Sequence, residues 1–174
     1  MLKSRIFAAL SVALIAVAGN AVAGEANGSF DVTASVEGSC IVSSTEAIAF
    51  GSYDPTVTHA TAALTSTGKV SVRCTAGLED VSVALDQGAN AATGSTCAAP
   101  LRQLNSDDNV KLSYTISASS GGSDWGCDEA NAQIIESFAS SLVPVELTTY
   151  GSIAGGQNAA VGDYTDTIGV TVTF

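Results

Sequence analysis

The chain has 174 residues, 17 acidic and 6 basic, for a formal net charge of -11. Lys3 and Arg5, an apolar run over 6–18 and the small-x-small Ala21-Val22-Ala23 read as a cleavable export signal over 1–23, which leaves 17 acidic against 4 basic residues, or -13, on about 150 residues. That length fits one domain with a real core, and a surface so short of cations repels phosphate backbones and anionic lipids, which excludes nucleic acid and membrane surfaces as partners.

The apolar run is too short to cross a bilayer comfortably, and no cysteine follows the cleavage site, so neither a membrane anchor nor a lipid anchor is expected. From Gly28 to Glu37, Phe30, Val32, Ala34 and Val36 alternate with Ser29, Asp31, Thr33, Ser35 and Glu37. A strand of this sequence has one apolar and one polar face and is built to lie over a core. It precedes the first cysteine, so it can close a sheet of its own domain or of a neighbouring molecule.

Four cysteines in an exported chain read as two disulfides. Of three pairings, Cys40 with Cys74 and Cys97 with Cys127 is preferred, because the first two lie in strand-like sequence and the last two in loops. Each bridge stabilises the fold by roughly 3–4 kcal/mol through loop closure. With no Cys-x-x-Cys and a single histidine, a metal site is not expected.

Beyond Cys40, short segments rich in Val, Ile, Thr and Tyr are separated by Gly, Ser, Asn and Asp, which predicts an all-β chain. Ala47 to Phe50 is a short apolar piece. Lys69 to Cys74 and Asp80 to Asp86 both alternate, and the Thr75-Ala-Gly-Leu78 between them predicts an antiparallel hairpin. The stretch from Gln87 to Pro100 is a loop, Val110 to Ile116 a strand burying Val110, Leu112, Tyr114 and Ile116, and Ala118 to Glu129 a second loop carrying Trp125. The stretch from Ala130 to Ser141 fits a helical turn or a strand. A strand follows at Val143 to Thr148, whose Pro144 suits an edge strand or a first position, and Gly151 to Gly162 is a third loop. Tyr164 to Phe174 is a terminal strand with Ile168, Val170, Val172 and Phe174 on one face. Because it stops on an apolar residue, something beside it is expected to hold it in place. About seven short strands at this spacing point to a two-sheet sandwich.

Several blocks, in this order, resemble the spore coat protein U domain family and, within it, the subunits of Csu-type archaic chaperone-usher pili: the alternating Ser29 to Glu37 before Cys40, Ile48-Ala-Phe-Gly-Ser-Tyr53, Val70 to Cys74, Arg102 ahead of a strand ending in Tyr114, Trp125-Gly126, Tyr150-Gly-Ser-Ile153 and Gly162-Asp-Tyr-Thr-Asp166 leading to a terminal strand. The second cysteine pair departs from the major-pilin pattern. The resemblance implies an incomplete immunoglobulin-like sandwich over 40–174, completed by a donor strand from a neighbouring subunit. It further implies a periplasmic chaperone, an outer-membrane usher, and export through the periplasm to a surface pilus that supports adhesion or biofilm formation. The donor strand is then the 24–39 segment with Phe30, Val32, Ala34 and Val36 facing inward, and the acceptor groove is lined by Ile168, Val170, Val172 and Phe174. Such head-to-tail contacts do not close and propagate as a fibre.

The remaining candidates have plain readings. His59 reads as a solvated loop histidine, and Asn105 to Asn109 as a polar turn rather than a calcium loop, since it lacks the spacing and terminal glutamate. Trp125 either stacks on a sugar or covers a sheet end, and packing is the preferred reading. No nucleophile motif, phosphate loop or carboxylate pair is visible, so an enzyme is not expected and no cofactor is implied. An exported spore-coat-like or carbohydrate-binding β-sandwich is the alternative to a pilus subunit.

Overall fold

The computed structural model describes residues 23–174, so the export signal expected over 1–23 lies almost wholly outside the described residues. Two units are distinguished, one ending at Ser35 and one running from Val36 to Phe174. Residues 23–39 belong to no helix or strand, and Phe30, Val32 and Val36 are 87%, 85% and 84% exposed.

The second unit is all-β. Its strands are β1 (Cys40–Glu46), β2 (Leu64–Cys74), β3 (Glu79–Leu85), β4 (Arg102–Ser106), β5 (Lys111–Ser117), β6 (Gln133–Ser137), β7 (Val145–Ile153), β8 (Tyr164–Thr165) and β9 (Val170–Thr173). They form a six-stranded sheet in the order β1-β2-β7-β5-β4-β8 and a three-stranded sheet in the order β6-β3-β9. Every ladder in these sheets is antiparallel.

Alternation decides what is buried. Val70 and Val72 of β2, Val81, Val83 and Leu85 of β3, Leu112, Tyr114 and Ile116 of β5, and Ile153 of β7 share one core between the sheets, joined by Ile135, Trp125 and Phe138. The ambiguous 130–141 stretch supplies β6, whose Ile135 faces inward while Ile134 faces water. Pro144 immediately precedes β7, where its missing N–H costs no ladder bond. The expected loop at Gly151 begins later than its composition suggested, because β7 runs on to Ile153.

Three expectations are corrected. β2 and β3 do not form a hairpin: β2 is flanked by β1 and β7, while β3 is flanked by β6 and β9. The Thr75-to-Leu78 connection instead carries the chain from one sheet to the other, with Gly77 at φ +88° and its N–H donated to Phe138 O. His59 is not solvated but 8% exposed, stacked on Tyr53 at 5.2 Å, with Nδ1 accepting the Asp54 N–H at 3.0 Å. The terminal strand is not continuous; residues 166–169 separate β8 from β9 for a reason found in the side chain of Asp166.

The disulfides join Cys40 to Cys74 and Cys97 to Cys127. The first ties β1 to β2 at directly opposed positions; the second ties the two long loops to each other. Asn105 to Asn109 is the β4–β5 turn, closed by Asn109 N–H to Ser106 O, with Asn109 in the left-handed region at φ +60° that asparagine tolerates.

Candidate functional site: an open apolar groove

The two sheets approach one another at β1 and β9, each of which is the last strand of its sheet. Between them lies a cavity of about 310 Å³, walled by Ile48, Phe50, Leu104, Tyr114, Ile168 and Val170, with Val70, Leu85 and Ile116 among the residues beneath. A wider cleft shares Ile48, Phe50 and Leu104 with it and continues toward residues 159–165. The result is an apolar trough beside β1 and β9, each of which pairs on one side only.

One wall is set by glycines. A Cβ on Gly68 would lie 2.5 Å from Glu46 O and 2.9 Å from Ile48 Cγ1; one on Gly151 would lie 2.6 Å from Ile48 Cγ2 and 2.7 Å from Phe50 Cζ. Real side chains there would push the Ala47–Phe50 segment off β2 and β7, so glycine inside these strands buys close approach at the cost of strand propensity. Phe50 then meets the Tyr114 ring edge-on at a centroid distance of 6.1 Å.

The opposite wall hangs on Asp166. Its Oδ2 accepts the Tyr114 hydroxyl at 2.8 Å, and its Oδ1 accepts the Asn90 N–H at 3.0 Å and Asn90 Nδ2 at 3.1 Å. Thr167 O accepts from Ala89 N–H and Gly169 O from Asp86 N–H, so residues 166–169 follow the Asp86–Asn90 loop instead of continuing a ladder. That detour interrupts the terminal strand and turns Ile168 toward the cavity. Burial, then the bond to Asp166, pushes the Tyr114 hydroxyl far above the ordinary tyrosine range.

The same C-terminal end of β3 is fastened differently on its other side. Arg102, 1% exposed, donates Nε to Asp86 O at 3.0 Å and Nη2 to Leu85 O at 3.2 Å, Asp86 O at 2.6 Å and Trp125 O at 2.7 Å. Burial pulls its pKa down from the usual arginine value. Trp125, also 1% exposed, donates Nε1 to Val83 O at 2.8 Å. Its ring is core, and it offers no platform for a sugar.

Of the four expected groove residues, Ile168 and Val170 line the cavity. Val172 packs on the core without bordering the cavity, and Phe174, past the last β3–β9 pair at Thr173, is 59% exposed. Ile48, Phe50 and Leu104 are cavity residues that alternation did not mark, and Leu85, which it marked as core, also lines the cavity. Ile48 and Phe50 lie outside any strand, and a period-2 pattern cannot find them. Among the described residues no cluster of three potential metal ligands occurs, and no helix is long and apolar enough to cross a membrane.

A family model described as the Spore Coat Protein U domain matches residues 26–171. The chain belongs to the Spore Coat Protein U domain family. Within that family it is similar to Protein U of Myxococcus xanthus, 33% identical over 180 residues that cover 99% of this chain and 98% of the relative. Among solved structures it is similar to the CsuC–CsuE chaperone–tip adhesion subunit pre-assembly complex from the archaic chaperone-usher Csu pili of Acinetobacter baumannii, at 20% identity and a TM-score of 0.49. That match covers 80% of this chain and 40% of the matched chain. The family match takes in the exposed 28–37 segment, both disulfides, and the groove walls.

Proposed function

We propose that this Spore Coat Protein U domain chain is a structural subunit of a surface pilus, polymerised by donor-strand exchange: the 24–39 segment of one copy completes the incomplete immunoglobulin-like sandwich of the next. The observation that carries the reading is the pairing of an unburied apolar strand sequence with an unfilled apolar trough on the same chain. Phe30, Val32, Ala34 and Val36 supply one apolar face, and the trough bordered by Ile168 and Val170 lacks one.

Magnitudes favour a joint over an isolated strand. Burying the four side chains is worth roughly 5–8 kcal/mol, and about eight backbone hydrogen bonds add on the order of 1 kcal/mol each. Ordering ten residues costs roughly 10–20 kcal/mol, so a lasting joint also needs the gain from covering the groove. An uncovered trough flanked by bare edges is an aggregation hazard. The reading therefore includes a partner that covers the trough before assembly, a periplasmic chaperone, and with it an outer-membrane usher on the way to the surface, where the fibre supports adhesion or biofilm formation.

Non-denaturing ladders test the reading. Phe30→Asp or Val32→Asp is expected to abolish polymers, because a charge driven unpaired into the trough is costly, while Asp31→Ala or Ser35→Ala leaves them. Equal effects on both faces would overturn it.

A further inference from the structure

The three residues at the root of the donor segment, Glu37 to Ser39, decide whose groove the segment can fill. Gly38-Ser39 between an alternating segment and β1 has the composition of a two-residue hairpin turn with glycine first. Closed there, the segment would run back antiparallel along the free edge of β1, into the gap between β1 and β9. It would cap its own groove. That turn needs the Glu37 carbonyl to accept the Cys40 N–H.

The Glu37 carbonyl is drawn instead toward the end of β2, on the side of β1 away from its free edge. It accepts the Thr75 hydroxyl at 3.2 Å, nearer than Ser39 O at 3.4 Å, while the same hydroxyl oxygen accepts the Ser39 N–H at 3.1 Å and the Thr75 N–H donates to Ser39 O at 2.9 Å. Leu78 closes in on Gly38, where an added Cβ would lie 3.2 Å from Cδ2. Thr75 follows Cys74 directly, so the Cys40–Cys74 disulfide holds both halves of this contact together. The cavity borders the opposite end of β1, at Thr45 and Glu46, roughly 20 Å along the strand from Cys40.

We propose that Thr75 is a positioning residue that clasps the donor root, blocks self-capping and so commits the segment to a second copy of the chain. The proposal rests on the donor-exchange reading. Its hydroxyl is suited to the task because it donates and accepts at once; valine, of the same shape, can do neither.

The test uses the mature chain refolded at one concentration, with size-exclusion chromatography, melting curves, and protease mapping of residues 24–37. Wild type and Thr75→Ser are expected to form polymers. Thr75→Val is expected to raise the monomer-to-polymer ratio about tenfold, with 24–37 protected inside the monomer. Adding Gly38→Pro to Thr75→Val forbids the positive φ that a glycine-first turn needs and is expected to restore polymers. A Thr75→Val chain that partitions like wild type, or whose monomer leaves 24–37 open to protease, would overturn the clasp alone. A wild-type chain that stays monomeric with 24–37 cleavable would instead overturn donor exchange.

Discussion

The C-terminal end of β3 is finished in opposite ways on its two sides. On the closed side, Leu85 and Asp86 are stitched to the 118–131 loop by Arg102 and by Leu85 N–H to Gly126 O, and Trp125 donates to Val83 O. On the flank carried by β9, Ile168 and Val170 are only half-buried around a cavity, next to an edge strand that pairs on one side. One side is sealed by a buried tryptophan and a four-bonded arginine, while the other leaves an apolar cavity beside an edge strand.

Breaking the closed side is expected to cost most. Trp125→Ala removes a buried indole and its bond to Val83 O, and should destabilise the fold by about 3–5 kcal/mol in urea titrations, whether or not a donor strand is supplied. An effect that a supplied donor strand rescues would blur the contrast between the two sides.

Asp166→Ala stands in between. It strips a charged acceptor from Tyr114 and Asn90 and should cost about 2 kcal/mol, with donor affinity falling further than stability, since the residue shapes the groove wall. The same pair gives a pH signature. Tyr114 is held protonated in the fold above its ordinary value, so its contribution is fully present below the unfolded tyrosine value of 10.0 and is lost as the pH rises beyond it. Tyr114→Phe should flatten that alkaline loss; an unchanged alkaline slope would remove Tyr114 as its source. At the other extreme, hydrogen bonds from the Thr56 hydroxyl and the N–H groups of Thr56 and Val57 hold Asp54 down to about 2. Its contribution is present above the unfolded value of 3.8 and is lost as pH falls below it through about 2, so Asp54→Asn should flatten the acid arm of stability.

Phe174→Ala, at an exposed terminal position, should change stability by no more than about 0.5 kcal/mol. A large loss there would mean that the terminal residue is core after all.

Local periodicity was legible where a side chain's fate depends on its own strand. Val81, Val83 and Leu85, or Leu112, Tyr114 and Ile116, are buried as their alternation requires. Partnership was not, because four residues between two strands suit a hairpin and a crossover between sheets equally well until the flanks of β2 are known to be taken by β1 and β7. Nor could alternation show that Asp166 would break the last strand, since its partners Tyr114 and Asn90 lie 52 and 76 residues away. His59 was misread for the same reason: its burial depends on Tyr53, which stacks on it, and on Gly156, whose N–H reaches its carbonyl. The two expected groove residues that line the cavity belong to the last strand region; Ile48 and Phe50, which it missed, approach through Gly68 and Gly151, whose lack of a Cβ matters only in three dimensions.

The central claim is that the trough is vacant because its strand belongs to another copy. Moving residues 24–37 to the far side of Phe174 through a flexible linker supplies that strand at high effective concentration, and thermal unfolding of this fusion beside the body lacking 24–37 measures what the strand contributes. The account predicts a soluble monomer, markedly more stable than the truncated body, which should itself aggregate without a chaperone. A truncated body that is a stable, soluble monomer with the same melting temperature as the fusion would contradict it.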